Sequence, residues 1–548
     1  MNLIRDPWIP VEYSDGRRAR IPAVDISDGT IARILAPRRD FTGALSQLLI
    51  GLLQTYFPPK SADDWHSLYR NPPTREELTA AFDPVPFELF SSGPGKPAFM
   101  QDLEELGSKP FAIGRLLIDQ PGEQGLQRNT DHFVHRGSVN ALCGSCAATA
   151  LFTMQANAPA GGAGNMTGIR GGGPLTTLVF SDLQEPLLWK DLWLNVIVAE
   201  PQKISENSLV PPHQIDESVL PWLGPTRTSE RKQTVSPGAE SGVHHLQVYW
   251  AMPRRMQLIL GDRSGACDVC GFDDSMLVEE YESKPFGNKY SAAWRHPLTP
   301  YTVTGDGSSP PNPRKGRPGA LAYPDYQWIS GMSELAYSPT KDKTMVVPAQ
   351  VVRDVQFHKR DRLGPVSHLR VWVFGYDLDK MKPRGWMESR MPLYALPPQR
   401  MEEASRTVRE VVDVATSGES LLRRAVLDVA ASDATNKVGG SSWADQVSGE
   451  FYSRTERDFY RAVESIVRDS SAENSIATLY SWLHEVSATM ESLFFQSIGV
   501  APDDRTPIDR DVYEVHSRMM RYFHGSTIVK SVRQRHAVWH ESKKEEVI

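Results

Sequence analysis

Four cysteines, arranged as two C-x-x-C pairs, are the residues of this chain best suited to chemistry. The pairs are Cys143/Cys146 and Cys267/Cys270, and the 548 residues contain no other cysteine. A two-residue spacing lets both thiolates of a pair face one ion, and two pairs complete the tetrahedral sulfur set that zinc prefers. We therefore predict a structural Zn²⁺ site with all four cysteines as ligands, closed to substrate and without chemistry of its own.

Two other interpretations of the cysteines remain open: a redox-active C-x-x-C motif, and buried reduced thiols that bind no metal. A thioredoxin-like motif occurs once, at a strand-to-helix turn. Here two motifs are separated by about 120 residues. Zinc is the interpretation that explains both pairs at once.

Known catalytic signatures are absent from the sequence. The fragment SSGPGKP contains Gly95-Lys96, but the preceding Phe90 stands where a phosphate-binding loop needs glycine, and Pro97 stands where it needs Ser or Thr. Neither G-x-S-x-G nor H-E-x-x-H occurs. His132 and His135 in DHFVHR lack the matching carboxylates of a metal or general-base site. The chain is predicted not to be an enzyme. The alternatives are a nucleic-acid-processing enzyme with an unrecognised active site, and a scaffold module that contacts only protein.

Two glycine-rich stretches and one basic loop are candidates for contact with nucleic acid. The stretches are APAGGAG at 158–164 and GIRGGGP at 168–174. Glycine lacks the Cβ that would keep another backbone away, so these loops can approach phosphates or a groove floor. Arg170 offers a donor suited to phosphate. The basic loop, 305–319, carries Arg314, Lys315 and Arg317. Plain flexible connections and a solvated loop are the alternatives.

The elements that must position these residues fall into two parts. Apolar residues at steps of three and four predict a helix over 41–57, and alternation at Met256, Leu258 and Leu260 indicates a strand. Prolines become rare after residue 396, and long helical patterns follow. We predict an α+β domain over 1–396 and an antiparallel four-helix bundle over 397–548, with helical patterns at 401–433 and 508–538 among its segments.

Charge and hydropathy limit the function classes. The net charge is −7 and the pI about 6.1, so any nucleic-acid site must be a local patch. The first residues, MNLIRDPWIPV, lack the continuous apolar stretch of a secretory segment, and no later run has the length of a membrane span. We expect a cytoplasmic protein with no membrane partner.

Six blocks, spread over nearly the whole chain, resemble the large subunit of the type I-E CRISPR surveillance complex Cascade, the CasA family. They are NLIRDPWIPV at the start, PAFMQ at 97–101, ALCGSCAATALF at 141–152, GIRGGGPLTTLV at 168–179, FGYDLDKMKPRGWMESRMPLY at 374–394 and ERDFYR at 456–461. None of them is a catalytic motif, but their combination and order are specific.

The resemblance implies a wedge-like N-terminal domain, a C-terminal four-helix bundle and no catalysis. It further implies a place among the other Cascade subunits at the 5′ end of the guide crRNA. There the protein would recognise a short PAM in double-stranded DNA through the minor groove and help open the duplex for R-loop formation. It would then recruit a separate helicase-nuclease.

The same resemblance assigns residues to these roles. The glycine loop in the minor groove falls on Gly161, Gly162, Ala163 and Gly164, where alanine departs from the family's glycine, and the lysine finger falls on Lys284, with Lys289 close by. The wedge falls on Asp379, Lys380 and Met381, and the loop that contacts guide and DNA on Phe133 and His135. Arg314, Lys315 and Arg317 are expected to contact phosphates because of their charge.

Overall fold

The computed structural model describes most of the chain, and statements about structure refer to these residues. They are 1–83, 97–120, 137–159, 161–162, 164–181, 186–198, 215–304, 307, 309–316, 323–332, 344–363, 369–379, 382–432, 440–499 and 510–545. The chain divides into two compact units. The first contains Met1–Pro318 and Pro339–Arg390, and the second contains Gly319–Ser338 and Met391–Ile548.

The strands lie in the first unit, except for the last residues of β14. They are β1 Ile9–Tyr13, β2 Arg18–Ile21, β3 Ile31–Ile34, β4 Phe111–Ala112, β5 Thr176–Ser181, β6 Arg255–Leu260, β7 Gly265–Ala266, β8 Asp273–Asp274, β9 Val278–Lys284, β10 Tyr301–Thr304, β11 Asn312–Pro313, β12 Thr344–Val347, β13 Leu369–Asp379 and β14 Lys382–Leu393. They form small sheets in the orders β2-β1-β3, β11-β10-β12, β14-β13-β5, β4-β9-β6 and β7-β8.

Helices occur in both units. They are α1 Arg39–Tyr56, α2 Ala62–Arg70, α3 Arg75–Phe82, α4 Gly144–Asn157, α5 Leu188–Trp193, α6 Tyr326–Ile329, α7 Gln350–Asp354, α8 Arg360–Leu363, α9 Pro398–Ser432, α10 Gly440–Arg468, α11 Ala472–Ser497, α12 Arg510–Gly525 and α13 Thr527–Glu545. The mixture of small sheets and helices, with a helical C-terminal region, confirms the predicted α+β class.

Helix α1 is the central helix of the first unit's core. Leu45, Leu48, Leu49, Leu52 and Leu53 are almost fully buried, as expected for residues at helical spacing on an inward face. The helix predicted over 41–57 is thus confirmed, and it contacts α4. The alternation at Met256, Leu258 and Leu260 is confirmed as β6, where Leu258 pairs with Tyr281 of β9.

The second unit is built from α9 to α13 together with a short segment, Tyr323–Met332. Helix α9 contacts each of α10, α11, α12 and α13. Tyr323 stacks on Phe459 of α10 with ring centroids 4.1 Å apart, and its hydroxyl shares a 2.9 Å hydrogen bond with Thr455. The single helical pattern predicted over 508–538 is two helices in the structure, because the chain turns at Ser526, whose N–H donates to Phe523.

Among the described residues, no helix is long and apolar enough to cross a lipid bilayer.

Candidate metal centre and nucleic-acid interface

The four predicted zinc ligands come together in the first unit. Their Sγ atoms all lie within 4.8 Å of one another, and those of Cys143 and Cys270 are 3.6 Å apart. Tetrahedral zinc with bonds of about 2.3 Å to sulfur requires separations of about 3.8 Å. Cys143, Cys146 and Cys267 are buried and none of the four forms a disulfide. The sulfur set is compatible with a structural zinc ion.

Each cysteine pair lies at a turn that the local sequence forms. Cys143 precedes the first residue of α4, and its carbonyl accepts from Ala147 at 2.9 Å. In the second pair, Gly271 donates to the carbonyl of Cys267 at 2.8 Å while holding φ at +71°, a conformation that favours glycine. The glycine of ACDVCGF therefore closes the second knuckle.

Two carboxylates join the two knuckles. Asp268 Oδ2 accepts from the backbone N–H of Asn140 at 2.7 Å and of Ala141 at 2.9 Å. Asp274 Oδ2 accepts from the N–H of Gly144 at 3.0 Å. These bonds bring the first pair to the second across more than 120 residues of sequence, so the long separation that the sequence shows does not oppose a common site.

Electrostatic interactions among the sulfurs favour thiolate character at one end of the cluster. Hydrogen bonding from Cys143 and Cys146 lowers the pKa of Cys270 to about 6. Arg20 of β2, which the sequence analysis missed, places its guanidinium beside the cluster and 3.7 Å from the ring centroid of Phe272. No local motif marks Arg20, because its position depends on the pairing of β1 with β2.

The predicted glycine loop and lysine finger are neighbours in the structure. The N–H of Phe286 donates to the carbonyl of Gly164 at 2.7 Å, and Lys284, the exposed last residue of β9, lies two residues before Phe286. Gly164 holds φ at +78°, and a Cβ there would lie 2.7 Å from the Cβ of Pro285. The close packing requires glycine. Ala163 lies outside the described residues.

An arginine that the sequence analysis missed holds the other end of this loop. Arg254 Nη2 donates to the carbonyl of Pro159, and a Cβ on Gly161 would lie 3.0 Å from Arg254 Nη1. Burial lowers the pKa of Arg254 to about 10. Gly162, with φ at +91°, has open space around its Cα.

Phe286 is a second missed residue at the same place. Its φ is +66°, which is uncommon outside glycine, and 36% of its surface is exposed although it is aromatic. Neither property can be deduced from its surroundings in the sequence.

The second glycine stretch packs against the basic loop and the end of β13. The N–H of Leu175 donates to the carbonyl of Arg314 at 2.9 Å, and a Cβ on Gly171 would lie 3.7 Å from Lys315 Cε. A Cβ on Gly173 would meet Leu378 Cδ1 at 2.6 Å. Leu378 is one residue before Asp379, with which β13 ends. Arg314 and Lys315 and the last residues of β13, just before the residues predicted to form the wedge, therefore both lie beside the second glycine stretch.

Several of the assigned residues lie outside the described parts of the chain. They are Phe133, His135, Arg317, Lys380 and Met381. Their assignments to the guide and DNA loop, to phosphate contact and to the wedge stay predictions.

Arg170 corrects one expectation. Only 1% of it is exposed, so it is not placed to meet a phosphate at the surface. Its guanidinium instead donates to Thr176, Thr299 and Gln47 inside the first unit. The arginine anchors the second glycine stretch from within.

Comparisons with known proteins agree with this fold. The family model for CRISPR-associated protein Cse1 matches residues 2–493. The Cse1 structure from Thermobifida fusca is similar with 17% identity, 98% coverage of both chains and a TM-score of 0.68. CasA from Thermus thermophilus is similar with 16% identity over 97% of this chain and 99% of that one, at a TM-score of 0.64. A chain of a CRISPR RNA-guided surveillance complex is similar with 15% identity over 95% of this chain and 99% of that one, at a TM-score of 0.63.

Proposed function

Because this chain belongs to the CRISPR-associated Cse1 (CasA) family, the large subunit of the type I-E surveillance complex Cascade, we propose that it reads the PAM of double-stranded DNA. The family gives it a role in the CRISPR complex and other Cascade subunits as partners. The proposal adds that it opens the duplex beside the PAM for pairing with the guide crRNA. It performs no catalysis itself.

The observation that carries the proposal is the hydrogen bond between Phe286 and Gly164, which keeps the glycine loop beside Lys284. Reading the minor groove requires backbone that approaches closely and a long cationic donor that reaches the acceptors of the bases. Gly161, Gly162 and Gly164 provide the backbone that can approach closely, and Lys284 provides the cationic donor. A·T and T·A pairs present similar acceptors in this groove, so several related PAMs should be tolerated.

The neighbouring elements support opening of the duplex. Lys315 is exposed beside the second glycine stretch, where its charge suits a phosphate. Strand β13 ends at Asp379, and the family resemblance assigns Asp379 and the two residues that follow it in sequence, Lys380 and Met381, to the wedge. A long side chain in that role would occupy the space of a stacked base. Unstacking costs a few kcal/mol, which the guide heteroduplex offsets.

Two further parts of the proposal come from the family. Phe133 and His135 are assigned to the loop that contacts the 5′ end of the crRNA, and a helicase-nuclease is recruited after target binding. A structural Zn²⁺ on the four cysteines keeps the reading elements in place, compatible with the geometry of the sulfurs.

The test uses the assembled complex and duplexes with and without a correct PAM. We expect strong preference for the PAM duplex and about tenfold weaker binding by Lys284→Ala, the usual magnitude for one lost groove contact. Lys60→Ala, an exposed lysine elsewhere in the first unit, is the control. Equal affinity of the parent complex for both duplexes would defeat the proposal.

Duplex opening is tested separately. Lys380→Ala combined with Met381→Ala should slow R-loop formation on an intact duplex while leaving binding of a pre-opened target unchanged. Equal opening rates would place the wedge elsewhere.

The enzyme alternative has its own test. The isolated chain with divalent metal is expected to leave DNA and RNA intact, and cleavage that survives repurification would favour a nucleic-acid-processing enzyme.

A further inference from the structure

The buried guanidinium of Arg170 has only neutral acceptors. Nη1 donates to Thr176 Oγ1 at 2.8 Å and to Thr299 Oγ1 at 3.2 Å, and Nη2 donates to Gln47 Oε1 at 2.8 Å. Among the described residues, no carboxylate forms an ion pair with it. A buried charge without a counter-charge is strongly destabilising, so this arginine calls for an anion.

A small cavity adjoins the guanidinium. About 10 Å³ of free space is lined by residues that include Gln47, Ile169, Arg170, Tyr249 and His296. That is room for one water molecule or one monatomic ion. The Arg170 Nε and the Tyr249 hydroxyl are buried, and neither has a hydrogen-bond partner in the described part of the chain.

The fourth polar residue of the lining, beside Gln47, Arg170 and Tyr249, is His296. Its Nδ1 accepts from the N–H of Leu298 at 3.2 Å, so the proton of the neutral ring is on Nε2. Burial and the positive charge of Arg170 keep the pKa of His296 well below its usual value, so the ring is neutral. The lining therefore combines the cation of Arg170 with the Tyr249 hydroxyl and a neutral imidazole, and the Gln47 oxygen already accepts a hydrogen bond from Arg170.

We propose that this cavity is a binding site for one small monatomic anion, with chloride as the natural occupant, held by Arg170 and Tyr249. Water would accept hydrogen bonds from the donors but would leave the charge of Arg170 uncompensated. Chloride would accept the same hydrogen bonds and also compensate the charge. Phosphate and sulfate are too large for the space. The site is separate from PAM reading and does not depend on it. The bound anion would hold Arg170, which anchors the second glycine stretch from within. Lys315 lies beside Gly171 of the same stretch.

The first test measures thermal melting of the full chain in sodium chloride, bromide, gluconate and sulfate at equal ionic strength. Chloride and bromide should raise the melting temperature by about 2 °C over gluconate, with saturation, as for a ligand that binds only the folded state. The melting temperature in sulfate should equal that in gluconate after correction for the general stabilising effect of sulfate, which is measured on the Arg170→Met variant. Equal melting in chloride and gluconate would overturn the proposal.

Tyr249→Phe removes one donor and should abolish at least half of the chloride-dependent shift. Tyr56→Phe is the matched control, because the Tyr56 hydroxyl is likewise buried with no hydrogen-bond partner among the described residues, and Tyr56 does not line this cavity. The control should keep the full shift. Equal loss in both variants would show that chloride does not bind here. Arg170→Met should abolish the shift, and the tyrosine pair keeps the test valid if that variant fails to fold.

The second test locates the ion. Crystals grown with bromide should give an anomalous peak within contact of Arg170 Nε and Tyr249 Oη. A well-ordered density at that place without anomalous signal would identify water only and would overturn the anion site.

Discussion

The Nη2 atom of Arg20 lies 3.3 Å from the Sγ of Cys270 and 3.5 Å from the Sγ of Cys143. Zinc with four thiolates carries a net charge of −2, and donors outside the ligand set offset that charge and orient the ligands. Arg20 is therefore placed to act as a positioning residue for the proposed metal centre, on a strand far from both cysteine pairs in sequence.

Arg20→Met should accelerate zinc loss. Removing a partner of this kind typically costs about tenfold in metal affinity, and the apolar substitute keeps most of the packing on Phe272. The measurement is the rate of zinc transfer to a colorimetric chelator. Arg18→Met is the control, because Arg18 is on the same strand but 72% exposed and pairs with Glu12. Equal rates in the two variants would remove Arg20 from the site.

Cys267→Ser should release the metal and destabilise the first unit. One ligand of four is lost, and metal binding energy contributes directly to folding. We expect zinc content to fall below half and the melting temperature to drop by more than about 5 °C. Val269→Ser, in the same knuckle, should retain zinc. A Cys267→Ser protein that melts like the parent, or a parent purified without zinc, would reduce the cysteines to buried thiols.

Gly164→Ala should weaken PAM-duplex binding by about tenfold, whereas Gly16→Ala, in the turn between β1 and β2, should not. Both glycines have positive φ, so both substitutions add about 1 kcal/mol of backbone strain. Only at Gly164 does the new methyl group also collide with Pro285, which displaces the segment that carries Lys284. Binding of the assembled complexes distinguishes the two. Equal effects would mean that strain, and not the contact with Pro285, matters.

Asp191→Asn should stabilise the protein at pH 7 and have no effect near pH 4. Burial raises the pKa of Asp191 to about 6, against hydrogen bonds from Ser181 that lower it. The folded state therefore binds this proton more tightly than the unfolded state, and the free energy of unfolding falls as pH rises from about 4 to about 6. Asparagine keeps the acceptor without the charge.

The readout for Asp191→Asn is the melting temperature between pH 4 and pH 8, with a gain of about 2 °C expected above pH 6. Asp15→Asn, at an exposed position, should leave the curve unchanged. A gain that persists at pH 4 would show that the charge is not the cause.

The sequence predicted the features that are determined within a short segment of the chain, namely the cysteine pairs and the buried face of α1. The spacing of Cys143/Cys146 and Cys267/Cys270 indicates a common site because ligand geometry is set within each pair. The leucines of α1 predict a buried face because helical periodicity is a property of the segment itself.

The remaining features depend on contacts that no local pattern encodes. Arg170 is buried because Gln47 and Thr299, each more than 120 residues away, offer it acceptors. The sequence around Arg170, an arginine among glycines, does not indicate whether distant residues provide these acceptors, so its burial could not be predicted. The division of the last helical pattern at Ser526, by contrast, has a local signal that the sequence analysis missed, because Gly525 is a poor helix former and serine is a common N-cap residue.

Helix α4 and strand β9 both start near the cysteine cluster. Helix α4 ends just before the glycine loop, and β9 ends at Lys284. Leu142 and Val278 pair at one end through two backbone hydrogen bonds, and Gly164 and Phe286 pair at the other. With 14 residues of helix and 7 of strand, each element is about 21 to 23 Å long. A zinc ion bound by the four cysteines would hold the starting points of both elements. A tilt of about 5° at a starting point would move the far end by about 2 Å at this length, more than the tolerance of a hydrogen bond to a base edge.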